Sequence, residues 1–191
     1  MEKQQKEKIL DTARVIFTRF GIKKSTMDEI AKKIRMGKST LYHYFKSKED
    51  IFLAVVKRES DTLKKNLQQV LEKKDSPKDK FRNYVKTRMK YLKELSVYYA
   101  TLTDAYFDIY SFAEEIREDF QNFELESLKS IFTEGVEKEV FDLKNPELTA
   151  KMIIIAFKGF EYLLITKEET PDVESEFDMF IDMFFEGILK H

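Results

Sequence analysis

The chain has 191 residues, 42% of them apolar and 36% charged, with 17 Phe, 9 Tyr, no Trp and no Cys. The absence of Cys excludes disulfides, thiolate metal sites and cysteine nucleophiles, and the only imidazoles are His43 and His191, so neither a metal nor a cofactor is expected. The net charge is −1, but residues 1–48 carry +8 and residues 49–191 carry −9, a basic head on an acidic body.

Such an imbalance points to a polyanion facing the head, against the plainer reading of a solvated basic face. No apolar run reaches the roughly 18–20 residues that span a bilayer. The N-terminal MEKQQKEKIL lacks the apolar core of a signal peptide. A cytoplasmic protein with no membrane partner is expected. With only 5 Gly and 3 Pro, long helices should dominate.

The first predicted helix carries Ile9, Ala13, Ile16, Phe17 and Phe20 on one face, and Gly21 is placed to end it in a left-handed cap. The next begins at Ser25 or Thr26. Thr26 and Glu29 form a T-x-x-E capping box, with Ser25 and Asp28 as a variant one residue earlier. Its inward stripe is Met27, Ile30, Ala31 and Ile34, and Arg35-Met36-Gly37 makes the turn. A short helix follows over about 38–45, with Leu41 and Phe45 inward. At 100° per residue, Ser39 and His43 point nearly opposite that pair, Thr40 and Tyr42 flank them, and Tyr44 lies at the border. Compact hydroxyl, imidazole and phenol groups on such a front can bond phosphates and base edges. Lys46, Ser47 and Lys48 lead into a helix over about 48–72, with Ser47 as N-cap and Glu49 and Asp50 in its first turn. Lys48 lies beside the amide end of that helix, where ammonium and N–H groups together suit one phosphate.

The run STMDEIAKKIRMGKSTLYHYFKSKEDIF, and TLYHYFKSKEDIF above all, resembles the DNA-binding domain of TetR-family transcriptional regulators. The resemblance is close over about residues 8–56 and architectural beyond. It implies an all-α protein of about nine helices. Residues 1–47 would form a helix-turn-helix head, and residues 48–191 a helical body for ligand binding and dimerisation. It implies that Thr26 meets a phosphate, that Lys38, Ser39, Thr40, Tyr42 and His43 face the major groove and its rims, and that Tyr44 and Lys48 are further backbone contacts. Two positions depart from the family pattern: Arg35 stands where the turn usually has glycine, and Gly37 where the next helix often opens with Ser.

In the body, KKDSPKD breaks the chain and Pro77 suits a first helical turn. The following helix, to Glu94, carries Phe81, Val85, Met89 and Leu92, with Tyr84, Arg88 and Tyr91 on the adjoining face. Arg88 between two tyrosines either meets a ligand's carboxylate or pairs with an internal acid such as Asp104 or Asp108. Residues 96–112, dense in aromatics, are expected to hold a short helix and a loop, with Tyr98 suited to a pocket wall. A long helix over about 112–140 carries Ile116, Phe120, Phe123, Leu128, Ile131 and Phe132. The candidate pocket comprises Tyr84, Arg88, Tyr91, Tyr98, Phe120, Phe123 and Phe157.

The helix over about 146–166 is apolar around most of its circumference, and the last, over about 173–189, carries Phe177, Phe180, Ile181, Phe184 and Ile188 on one stripe. So much apolar surface calls for a second cover, either an internal core pair or a partner subunit. The family resemblance implies the latter. Phe160, Leu164, Phe177, Phe180, Ile181, Phe184 and Ile188 are the candidate homodimer interface.

The expected function is a homodimeric repressor of a near-palindromic double-stranded DNA operator, released by a hydrophobic small-molecule effector. A DNA-bound structural or division-control protein of the same fold, acting through a protein partner, is the alternative. An enzyme is disfavoured, since one interior histidine and no convergent carboxylate pair leave little for acid–base or nucleophilic work.

Overall fold

A computed structural model describes residues 2–94, 113–166 and 173–189, with the backbone alone at 92–94, 161–166 and 173–177. Among them are eight helices: α1 (Glu2–Lys24), α2 (Met27–Ile34), α3 (Lys38–Tyr44), α4 (Lys48–Leu71), α5 (Pro77–Glu94), α6 (Glu114–Glu137), α7 (Pro146–Thr166) and α8 (Val173–Ile188). The expected helix within 96–112 lies outside the described residues, as do Tyr98, Asp104 and Asp108. Residues 2–62 and 113–117 make one compact unit, and residues 63–94 and 118–189 make the other, so α4 and α6 each contribute to both.

In the first unit α1 packs on α2, and α2 on α3. Ile9, Ala13, Ile16 and Phe17 are buried as their periodicity requires. Phe17 meets Phe52 of α4 edge to face at 5.2 Å. Phe20 does not join them; it is exposed, under the guanidinium of Arg19. The helix has already broken at the next residue. Gly21 takes φ 71°, ψ 164°, an extended positive-φ conformation open to glycine alone rather than the left-handed cap expected. Three ion pairs bind α1 to α4: Arg14 donates to Glu59 at 2.8 Å, and Arg58 bridges Glu7 and Asp11 at 2.9 Å each.

The second unit is built on phenylalanine. Phe81 lies 5.3 Å from Phe132 and 5.2 Å from Phe184, and Phe141 stacks on Phe185 at 6.1 Å. Its helix starts are set by local sequence. Ser76 caps α5, accepting the Asp79 amide at 3.1 Å with Pro77 at the first helical position. Asn145 caps α7 through the Leu148 amide at 2.9 Å, again followed by proline. Helix α6 ends where Glu139 takes φ 54°, with Val140 donating to the Gly135 carbonyl at 2.8 Å. Phe141 then folds its ring over Gly135 so closely that a Cβ there would lie 2.0 Å from the ring. A β-bridge pairs Phe141 with Leu189.

Candidate nucleic-acid interface

Thr26 caps α2 with the full reciprocal box. Its hydroxyl accepts the Glu29 amide at 3.2 Å, and its own amide donates to the Glu29 carboxylate at 2.9 Å. The hydroxyl proton goes to the same carboxylate, also at 2.9 Å. The helix ends at Arg35, held in the left-handed region at φ 55°, ψ 44°. Met36 donates to the Ala31 carbonyl at 2.9 Å and Arg35 to that of Lys32 at 3.2 Å, the two bonds of a Schellman motif with arginine in glycine's place. The chain thus turns as it would with the glycine absent here.

Gly37 then caps α3 with φ −61° and no side-chain bond. Leu41, fully buried, anchors this short helix, while Phe45, just past its end, is half-buried. Lys38, Ser39, Thr40, Tyr42 and His43 are exposed, as is Thr26. Tyr44 is half-buried, 5.7 Å from the His43 ring in an edge-to-face contact. One anchor and five exposed side chains make a helix whose outer surface is free to enter a groove.

The charges on this face have partners. Lys38 pairs with Asp28 at 2.7 Å, and the hydrogen bond and charge of that carboxylate hold its ammonium above its ordinary pKa. Lys48 is half-buried: its Nζ donates to the carbonyls of Ile22 at 3.0 Å, Ser25 at 3.1 Å and Lys23 at 3.5 Å. The start of α4 is closed by a reciprocal box. Asp50 accepts the amides of Lys46 and Ser47 at 3.1 and 3.2 Å, and its own amide donates to Ser47 Oγ at 3.0 Å. The sequence offers Asp28 only as an alternative capping residue; its pairing with Lys38, ten residues on across the turn, depends on how α2 and α3 pack.

In the second unit, Tyr84, Arg88, Phe120 and Phe157 are buried, and Tyr91 and Phe123 are half-buried. Arg88 forms an ion pair with Glu124, each side chain 2% exposed, and its guanidinium carbon lies 4.5 Å from the centre of the Phe157 ring. The internal-acid alternative is the one realised, with a partner not named beforehand. Glu124 interrupts the apolar stripe of α6 between Phe120 and Leu128, which is the trace it leaves in the sequence. Of the candidate interface residues, Ile181 is buried within its own chain. Phe160 and Phe180 face each other at 5.4 Å, and Phe184 packs on Phe81 and Phe132. Ile188 is half-buried, and the side chains of Leu164 and Phe177 lie outside the described residues. Among the described residues, the large apolar groups left exposed on these two helices are Leu148, Met152, Ile155, Met179 and Met183.

Among the described residues, no helix is long and apolar enough to cross a membrane, and no cluster of three metal-ligating side chains occurs.

Residues 9–55 match the family model described as bacterial regulatory proteins, tetR family. The helix-turn-helix-type transcriptional regulator YhgD of Bacillus subtilis, itself uncharacterized, is 30% identical over 159 residues, 81% of each chain. Two solved structures share the fold over nearly the whole length. The fatty acid degradation regulator FadR from Bacillus halodurans has a TM-score of 0.79 at 17% identity, covering 95% of both chains. SmeT, the repressor of the Stenotrophomonas maltophilia multidrug efflux pump SmeDEF, has a TM-score of 0.79 at 17% identity, covering 97% of this chain and 90% of its own.

Proposed function

The chain belongs to the TetR family of bacterial regulatory proteins, and from that premise we propose that it is a homodimeric repressor that leaves its operator when a small apolar or aromatic ligand binds. Like its relatives it is a transcriptional regulator rather than an enzyme. The observation that carries the reading is the outer face of α3. Lys38, Ser39, Thr40, Tyr42 and His43 stand exposed on a helix anchored by one leucine, at the end of the chain where the positive charge is concentrated.

On this reading Thr26, Tyr42 and Tyr44 bind phosphates and fix the register, while Lys38, Ser39, Thr40 and His43 face the bases and groove rims. Lys38 must leave Asp28 to do so, and the pair is exposed, so the exchange costs little. Two heads reach successive major grooves of a near-palindrome, about one helical turn apart. The second copy covers the exposed Leu148, Met152 and Ile155 of α7 and Met179 and Met183 of α8, with Phe160 and Phe180 beside them. The effector binds among Tyr84, Phe120 and Phe157, and favours a state in which α4 carries the heads out of register. Because Arg88 already has a carboxylate, a neutral apolar or aromatic molecule suits the body better than a strong acid. The structural neighbours point the same way. One regulates fatty acid degradation, another represses a drug efflux pump, and the latter has been solved with triclosan.

The test starts from duplexes selected out of a random pool by the full-length protein. Tyr42→Ala is expected to weaken binding to the selected duplex about tenfold or more, the loss of about one phosphate hydrogen bond and its packing, with the dimer intact by sedimentation. Failure to enrich any duplex overturns the repressor reading. Unchanged affinity of Tyr42→Ala overturns the assignment of α3. Native mass spectrometry of the dimer for co-purified small molecules tests the effector class.

A further inference from the structure

We propose that Lys48 is a positioning residue, locking the α1–α2 junction to the start of α4, and not itself a phosphate contact. The inference rests on the reading above that Thr26 and α3 face DNA.

The geometry begins at Gly21. Its φ of 71° breaks the helical ladder, so the carbonyls that follow lose their regular acceptor role. The chain folds back on itself there: Ser25, 1% exposed, donates its hydroxyl to the Gly21 carbonyl at 2.6 Å and its amide to that of Ile22 at 3.2 Å. The carbonyls of Ile22, Lys23 and Ser25 then converge on one point, and the Lys48 ammonium occupies it, within 3.0–3.5 Å of all three. An ammonium has three protons and no acceptor, so three carbonyls use it completely. The negative pole of a helix end attracts it further. The residue after this knot is Thr26, the N-cap of α2. Lys48 therefore sits one residue from the group that sets where α2, and through the turn α3, begins.

The backbone on either side of Lys48 is also held. Asp50 takes the amides of Lys46 and Ser47, and Ser47 takes that of Asp50. A phosphate reaching Lys48 would have to draw the ammonium off three carbonyls. Thr26, by contrast, is exposed at the surface and needs only to turn its hydroxyl away from Glu29.

Two full-length variants separate positioning from contact. Lys48→Met removes the charge. Lys48→Arg keeps it, but a planar fork cannot place one proton on each of three converging carbonyls. In hydrogen–deuterium exchange without DNA, both variants are expected to expose the amides of residues 22–31 about tenfold more often. On the selected duplex, both should lose about tenfold in affinity while the slope of log K against log salt stays as in the wild type. A direct contact gives the opposite pattern: Lys48→Arg binds like the wild type, and Lys48→Met lowers the salt slope by about one. Wild-type exchange in Lys48→Met, or wild-type affinity in Lys48→Arg, overturns the proposal. If Lys48→Met does not fold, Lys48→Arg carries both measurements. If the wild-type protein enriches no duplex, the DNA reading falls, while the exchange experiment still decides the lock.

Discussion

Glu124→Ala is the sharpest probe of the body. Arg88 and Glu124 are each 2% exposed at the side chain, so neither charge has water to fall back on. Removing one partner of such a pair costs about 3–5 kcal/mol. The Phe157 ring, 4.5 Å from the guanidinium carbon, does not make up the loss, since a cation–π contact is worth only about 2 kcal/mol when desolvated. Against a total stability of about 5–15 kcal/mol, the expected fall in Tm is roughly 6–20 °C for a chain of this length. Replacing both partners, Arg88→Met with Glu124→Leu, should cost no more than about 1–2 kcal/mol, because the desolvation of both charges disappears with the pair. Urea unfolding followed by circular dichroism measures both variants, at one protomer concentration because self-association adds to apparent stability. A loss below about 1 kcal/mol in Glu124→Ala, or a double variant as damaged as the single, refutes the argument that burial makes this pair costly to break. The same double variant bears on the effector: if the ligand is neutral, release from DNA survives the loss of Arg88.

Three further outcomes are expected. Gly135→Ala puts a Cβ 2.0 Å from the Phe141 ring and should destabilise by about 2–3 kcal/mol in thermal unfolding, overpacking outweighing the gain in helix propensity. Arg35→Gly relieves a left-handed residue at φ 55° and should raise stability by about 0.5–1 kcal/mol; a loss would mean that the arginine side chain contributes more than its backbone costs. Glu134 accepts from Lys138 at 2.7 Å and Lys80 at 2.8 Å, which hold its carboxyl below its ordinary value of 4.5. Its stabilising contribution is present above pH 4.5 and is lost as pH falls through the lowered value, so Glu134→Gln should flatten the acid limb of the stability profile.

The head was legible because its signals are local. A T-x-x-E box needs only residues three apart, and the bonds of Thr26 and Glu29 are those it specifies. Ser47 and Pro77 marked helix starts for the same reason. What the sequence hid is tertiary. Lys48 sits by position at a helix N-terminus, which favours a phosphate; only the packing of α1 on α4 brings three carbonyls to its ammonium. Glu124 lies 36 residues from Arg88, a separation no local rule bridges. Arg35 and Glu139 occupy left-handed caps without glycine, so the usual mark of a helix end was absent at both. Phe20 fits the apolar period of α1 but falls where Gly21 has already turned the chain.

The last two helices show how far periodicity carries and where it stops. A 3.6-residue repeat separates two faces of α8 but does not say which one the chain keeps for itself. The heavier face, with Phe180, Ile181 and Phe184, goes inward or to its edge, because aromatic rings bury the most area and Phe81 and Phe132 are there to meet them. Among the described residues, those left outside are Leu148, Met152 and Ile155, spaced by four and three on α7, and Met179 and Met183, spaced by four on α8. Five large apolar groups more than half exposed, on two neighbouring stretches of helix, exceed the scatter of single surface hydrophobes. A partner that covers them needs a matching apolar stripe, and a second copy related by a two-fold axis supplies one without further requirement. Two of the five are methionines, whose unbranched side chains adapt to a facing surface. On the proposed reading the two heads change spacing without parting, and a compliant interface of this kind is compatible with that motion.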